Sequence, residues 1–187
     1  MKVGITGGIG SGKSYVCRVL KEQGIEVFDC DSEAKRLMRN SPELRQQLTA
    51  LIGPETYTPE GILNKAAVAK FLLASPSNAK AIDAIVHPAV FRDFEQSGMQ
   101  WMESAILFES GADTLVNKVV VVTAPQEVRI QRVIERDGIT REKALQWMAR
   151  QWSQADVMAR ADYIIVNDGV TDIDKQIESL LEKIKEL

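Results

Sequence analysis

Residues Gly7-Gly8-Ile9-Gly10-Ser11-Gly12-Lys13-Ser14 fit G-x-x-x-x-G-K-[ST], the spelling of a loop that holds phosphate chains. Glycines let a backbone take φ > 0 and approach an anion closely, so that successive N–H groups form a concave nest. The helix expected next, roughly Lys13 to Gln23, points its positive end into the same spot. Lys13 is placed to reach the β and γ phosphates, and the Ser14 hydroxyl to ligate Mg²⁺. A Gly-rich turn before a helix would be the bland reading. The apolar run Val3 to Ile5 before the loop and the complete Gly-Lys-Ser speak against it.

Further residues have types and spacings suited to the same chemistry. Asp29 and Asp31 fall at i and i+2 just past a second apolar run, and in an extended stretch both would point the same way. Either carboxylate could accept a proton from an attacking hydroxyl, orient it, or hold a metal through water, or one could simply cap the helix opening at Ser32. Glu103 stands at a third strand, where a carboxylate could join the water shell of a metal or be a solvated edge charge. Glu109 could bind substrate or cap the next turn. Arg129, Arg132 and Arg136, at i, i+3 and i+7, share one helix face, with Arg141 and Arg150 beyond. Such a stripe is often a solvated face. Following a strand end, it is also where a charge-stabilising arginine lid over a triphosphate would lie, with Arg132 the best candidate. His87, the only histidine, precedes Pro88, which is expected to end or kink its helix. Asn167-Asp168-Gly169 reads as a turn whose backbone could meet a nucleotide base. Trp101, Trp147 and Trp152 read as packing residues.

These residues need a frame, and the chain spells one. Short strands are expected at Val3–Ile5, Ile25–Phe28, within Trp101–Phe108, at Lys118–Thr123 and at Tyr163–Val166, alternating with helices. That pattern predicts an α/β fold with a doubly wound, five-stranded parallel sheet, whose ligands bind at the carboxyl ends of the strands. Residues 32–100 are far longer than a crossover requires and are expected to form a helical subdomain, with Ser41-Pro42 and Ser75-Pro76 as helix starts. Leu44, Leu48 and Leu51 give one apolar face there, and Ala67, Phe71 and Leu72 a looser one. Residues 1–31, 101–125 and 153–187 are expected to be the core and 126–152 a helical lid, with Thr140 and Thr171 capping the last helices. The chain has 187 residues, 45% of them hydrophobic, enough for one domain with an insertion. A formal net charge of −3 gives no electrostatic case for nucleic acid, and no apolar run suits a membrane span. Cys17 and Cys30 have no metal-ligand spacing and read as reduced thiols of a cytoplasmic protein.

Over essentially its whole length the sequence resembles the dephospho-coenzyme A kinases. The likeness is carried by Ile5 to Ser14, Asp29-Cys30-Asp31, His87-Pro88, Ile106-Leu107-Phe108-Glu109, the Arg132 to Gln151 segment and Ala161-Asp162. It implies a P-loop kinase that uses ATP and Mg²⁺ to phosphorylate the ribose 3′-hydroxyl of dephospho-CoA, with no nucleic acid or membrane partner, expected as a monomer. On that likeness Asp31 is the base, and Gly8, Ile9 and Gly10 to Tyr15 hold the ATP phosphates with Arg132 and Arg136. Asn167 and Gly169 lie by the adenine. Asp29, His87, Leu107 and Glu109 serve the acceptor, and Ser14 and Glu103 the metal. The sequence departs from the family's usual spelling at Tyr15, Cys30, Glu103 and Ala105. Another small-molecule or nucleoside monophosphate kinase is the nearest alternative. A GTP-binding switch is disfavoured, because Asn117-Lys118 is followed by Val120 where the guanine motif wants Asp.

Overall fold

The computed structural model describes residues 1–186; Leu187, the last residue of the expected core segment, lies outside them. In chain order the elements begin with β1 (Val3–Thr6), α1 (Lys13–Glu22), β2 (Val27–Asp29) and α2 (Cys30–Asn40). There follow α3 (Pro42–Ile52), α4 (Lys65–Ala74), α5 (Ser77–Ser97), β3 (Trp101–Glu103) and β4 (Lys118–Thr123). The chain continues through α6 (Gln126–Asp137), α7 (Arg141–Met148), α8 (Gln154–Met158), β5 (Tyr163–Val166) and α9 (Ile173–Lys185).

The five strands form one parallel sheet in the order β2-β3-β1-β4-β5, with β1 paired to both β3 and β4 and β4 to β5. The chain leaves β1 for one side of the sheet and later returns to the other. The carboxyl end of β1 is therefore the switch point, where a doubly wound sheet opens a crevice. Residues 7–14 start there. Alternation along the strands sends Val3, Ile5, Val120, Val122 and Ile165 to one face, where they meet Val16 and Leu20 of α1 and Ile177, Leu180 and Leu181 of α9. Burial of each such side chain stabilises the fold by about 1.5–3 kcal/mol. On the opposite face Leu107 fills the space beside Gly4, within 3.0 Å of where a Cβ would stand. Asp162 secures the far edge by accepting from the Val119 amide at 2.8 Å and pairing with Lys118 at 2.9 Å.

The chain divides into two compact units, one of residues 1–28 and 99 onward, the other Asp29–Gly98. Within the second, Leu44 and Leu48 of α3 are buried, as are Ile82, Val86, Ala89, Val90 and Phe94 of α5. α4 has no buried residue: Ala67 and Phe71 are half-buried and Leu72 is exposed.

Several local expectations are corrected. Pro88 neither ends nor visibly breaks α5, which runs 21 residues to a left-handed Gly98. Ser75 lies one residue too early to be the N-cap, a position held by Pro76, although its hydroxyl still accepts from the Ser77 amide at 3.3 Å. The helix after Thr140 stops at Met148 instead of near Trp152, and Ser153 caps a separate α8 by accepting from the Asp156 amide. Asp172, rather than Thr171, caps α9, because Asp168 already engages the Thr171 amide and hydroxyl. Trp101 is buried, Trp147 packs beside Ile130 and Val133, and Trp152 stacks on Phe108 beneath Arg160.

Candidate active site

β1 delivers the chain into a glycine loop that cannot tolerate side chains. At Gly10 (φ 79°) a Cβ would come within 2.5 Å of the Arg129 carbonyl, and at Gly12 (φ 93°) within 2.0 Å of Asn167 Nδ2. Gly12 is also the N-cap of α1, and a glycine brings no capping side chain. Of the first-turn amides, that of Tyr15 already donates to the Gly12 carbonyl at 3.0 Å, which leaves those of Lys13 and Ser14 for a ligand. Ser14 and Tyr15 are exposed in that same turn. The Tyr15 ring lies against the Arg18 guanidinium at 4.8 Å. Ser11 Oγ is fully enclosed and has no hydrogen-bond partner among the described residues, a polar cost that the loop carries.

Lys13 lies across the loop. Its Nζ donates to the Gly7 carbonyl at 2.8 Å and stands 3.8 Å from Glu103 Oε1. Burial lowers its pKa from the ordinary lysine value, Glu103 pulls it back up, and Arg129 and Arg136 push it down again. The amine is thus a desolvated point charge with incomplete compensation, the form in which a cation binds phosphate strongly.

The arginine stripe is not one solvated face. Arg129 is buried and donates through Nε to the Ile9 carbonyl at 2.9 Å. Arg132, half-buried, donates to the Asn167 carbonyl at 3.0 Å and to Asn167 Oδ1 at 3.2 Å, with longer contacts to Gly10 and Ser11 carbonyls. Asn167 in turn donates to the Ser11 carbonyl at 2.9 Å, so the turn before Gly169 and the loop form one hydrogen-bonded cluster. Arg136 is exposed and held by Asp137, which raises its pKa. Arg141 makes a paired contact with Glu127, tying α7 to α6.

The remaining site residues have mixed fates. Asp29 and Asp31 are not side by side on an extended stretch. Asp29 is the N-cap of α2, accepting from the Ser32 amide at 3.0 Å and its hydroxyl at 2.7 Å, while Asp31 lies in the first turn, exposed and paired with Lys35. The helix begins two residues earlier than Ser32 because an Asp can serve as N-cap there. His87 is half-buried in α5, stacked on Phe91 with Nε2 3.7 Å from Asp83. Leu107 is fully buried, so its side chain supports β1 from below. Glu109 accepts from the Trp152 amide at 2.9 Å, a contact 43 residues away in the chain and not a cap on the next turn.

Lys13, Arg129 and Arg132 thus all contact one glycine loop at the end of β1, on the fold of a small P-loop kinase. The family model described as dephospho-CoA kinase matches residues 1–172. The chain belongs to the dephospho-CoA kinase family. It is 38% identical over 188 residues to the dephospho-CoA kinase of Bacteroides fragilis, covering 97% of this chain and 91% of that protein. Identity to the Porphyromonas gingivalis dephospho-CoA kinase is 39% over 190 residues, covering 98% and 94%. Its fold is similar to the crystal structure of TT1252 from Thermus thermophilus, with a TM-score of 0.82 at 31% identity over 100% of this chain and 96% of that one. The chain is thus a phosphotransferase that uses ATP to phosphorylate dephospho-CoA in coenzyme A biosynthesis.

For a dephospho-CoA kinase family member, one contact was not legible in sequence. Gln151, between α7 and α8, accepts from the Ile9 amide at 2.8 Å and donates to the Ala105 carbonyl at 3.0 Å. It clamps the phosphate loop to the segment after β3 from 142 residues away. Spacing offers no signal for such a contact. Gln151→Ala should lower kcat/KM for ATP about five- to thirtyfold, the equivalent of about 1–2 kcal/mol for a lost buried partner. Gln151→Glu keeps the acceptor but not the donor and should recover part of the loss. An unchanged kcat/KM in Gln151→Ala would reduce the clamp to packing.

Proposed function

We infer that the chain transfers the γ-phosphoryl group of ATP to the ribose 3′-hydroxyl of dephospho-CoA, with the 7–14 loop as its phosphate site. The observation that carries this reading is the loop itself, where half-buried Lys13 and the uncapped start of α1 converge at the end of β1. In the reaction Lys13 leaves the Gly7 carbonyl for the β and γ phosphates, and Arg132 steadies the equatorial oxygens. Asp31 takes the proton of the 3′-hydroxyl as the new O–P bond forms and the bond to the ADP oxygen breaks. Asp29 keeps α2 started next to that base. His87, in the Asp29–Gly98 unit, is an acceptor residue, as are Leu107 and Glu109 of the other unit; residues 126–152 act as the lid, and the Asn167–Gly169 turn serves the adenine.

Among the described residues no cluster of three or more His, Cys, Asp or Glu could hold a metal alone. That suits Mg²⁺, which is commonly held by one or two protein oxygens together with substrate phosphates and water. Ser14 and Glu103 are hard oxygen donors of the right kind to hold it. When bound it neutralises phosphate charge. Arg136 is a further partner for the phosphates. Among the described residues no helix is long and apolar enough to cross a membrane, and Cys17 and Cys30 form no disulfide. With the acidic charge balance these suit a cytoplasmic protein acting on small molecules and not on nucleic acid.

The reading is tested by ADP release from ATP and Mg²⁺ with dephospho-CoA, adenosine monophosphate and adenosine offered separately. Turnover is expected with dephospho-CoA, and turnover only with another acceptor would overturn it. Arg132→Ala should cost about 2.7–4 kcal/mol of transition-state stabilisation, as for one preorganised donor. Arg132→Lys should recover only part, since a point charge lacks the planar fork. Steady-state rates, with melting curves as a folding control, decide this; full activity in Arg132→Ala would return the residue to a surface role.

A further inference from the structure

Arg129 is a cation to which the scheme above gives no task. It lies one turn before Arg132 on α6, yet it points under the loop and is only 7% exposed. Its Nε donates to the Ile9 carbonyl at 2.9 Å. The end of the guanidinium lies against Gly8, where a Cβ would come within 2.3 Å of Nη2 and 2.7 Å of Cζ. At Gly10 a Cβ would come within 2.5 Å of the Arg129 carbonyl, so the loop is folded over this residue from Gly8 to Gly10. A guanidinium has five N–H donors. The Ile9 carbonyl is its hydrogen-bond acceptor among the described residues, and no carboxylate among them lies within the 4.0 Å of an ion pair.

A buried cation without a counter-charge is costly. Burial lowers the pKa of Arg129, and no neighbouring charge among the causes raises it. Lys13, by contrast, has Glu103 at 3.8 Å. Arg129 and Arg136 both act to lower the pKa of Lys13, so each repels the amine that lies across the loop, although Arg136 is itself paired with Asp137. An arrangement of that kind fits a ligand carrying several negative charges.

We propose that Arg129 is a positioning residue of the phosphate site, which shapes Gly8-Ile9-Gly10 through the Ile9 carbonyl and supplies a fixed charge that the ATP triphosphate neutralises. This rests on the reading that the loop holds the ATP phosphates. It separates two roles on one helix: Arg132 meets the phosphates directly, while Arg129 acts from behind the backbone. A residue that served only as a prop would matter to folding whether or not ATP is present. A stored charge has the opposite signature, since it opposes folding alone and assists when ATP binds.

The test measures KM for ATP, kcat and melting temperature with and without ATP in Arg129→Gln, Arg129→Lys and Lys13→Ala. Arg129→Gln should raise the ATP KM about tenfold, which is about 1.4 kcal/mol, and change kcat much less. Its melting temperature without ATP should hold or rise, and the increment produced by ATP should shrink. Arg129→Lys keeps the charge and should recover at least half of the lost ATP affinity on a logarithmic scale. A lower melting temperature with an unchanged KM in Arg129→Gln would overturn the proposal. Should Arg129→Gln fail to fold, Arg129→Lys decides: a KM within about threefold of the parent supports the charge role, and a tenfold rise overturns it. Lys13→Ala separates the two levels of argument. If it leaves ATP handling intact, the loop reading fails; if it abolishes ATP handling while Arg129→Gln does not alter KM, only the role of Arg129 fails.

Discussion

Lys13→Ala is expected to cut turnover by roughly 10³-fold or more, the scale on which phosphoryl transfer depends on its positioned cations. The reason is the place of the amine. Its Nζ is within 2.8 Å of the Gly7 carbonyl and reaches over the loop from the first residue of α1. Neither neighbouring arginine stands in its place: Arg129 lies under the loop on the Ile9 carbonyl, and Arg132 approaches from α6 beside Asn167. Folding should survive the change. Burial disfavours the lysine charge, so removing it relieves desolvation and offsets part of the lost packing. Melting curves should therefore show a folded variant whose melting temperature no longer responds to ATP. Near-normal turnover would remove the loop from the mechanism.

Asp31→Asn is expected to leave the KM for ATP nearly unchanged while kcat falls roughly 10²- to 10⁴-fold, the range for losing a positioned general base. Asp31 is exposed in the first turn of α2 and paired with Lys35, so the substitution costs little in folding. Asp29 provides the contrast. Its carboxylate caps the helix through Ser32, a role that asparagine also fills. Asp29→Asn should therefore be mild in both rate and stability, whereas Asp29→Ala should cost about 0.5–2 kcal/mol of stability through the lost cap. Steady-state kinetics on the three variants would reverse the assignment if Asp29→Asn were the more damaging of the two asparagine changes.

Much of this site can be read from the chain because the chemistry is local. Residues 7–14 are contiguous, and a glycine loop between a buried strand and a helix has few other physical uses. The strands at Val3–Thr6 and Lys118–Thr123 are short, largely β-branched runs that a parallel sheet buries on both faces, and the edge strand Tyr163–Val166 is a similar run that leaves Ile164 exposed. The errors fell where two local signals compete. Asp29, Asp31 and Ser32 are all good helix starters, as are Asp168, Thr171 and Asp172, and the hydrogen bonds chosen among neighbours depend on backbone direction. Pro88 is a residue expected to end or kink a helix, yet α5 continues past it with its buried face on both sides, and packing outweighs one missing amide.

The sequence by itself determined the phosphate loop, the alternation of strands and helices and, through motifs spread along the whole chain, membership of the dephospho-CoA kinase family. Tertiary structure alone decided the strand order, which puts β1 between β3 and β4 and opens the crevice above it. It also decided which arginine of an evenly spaced stripe is buried. Positions i, i+3 and i+7 look equivalent along a helix, but α6 rests on the loop at one end only, so Arg129 is enclosed while Arg136 faces solvent. The same holds for Gln151, whose partners at Ile9 and Ala105 are remote in the chain. Local pattern reports what a residue can do, whereas burial and long-range partners arise only when the sheet closes and brings distant segments together.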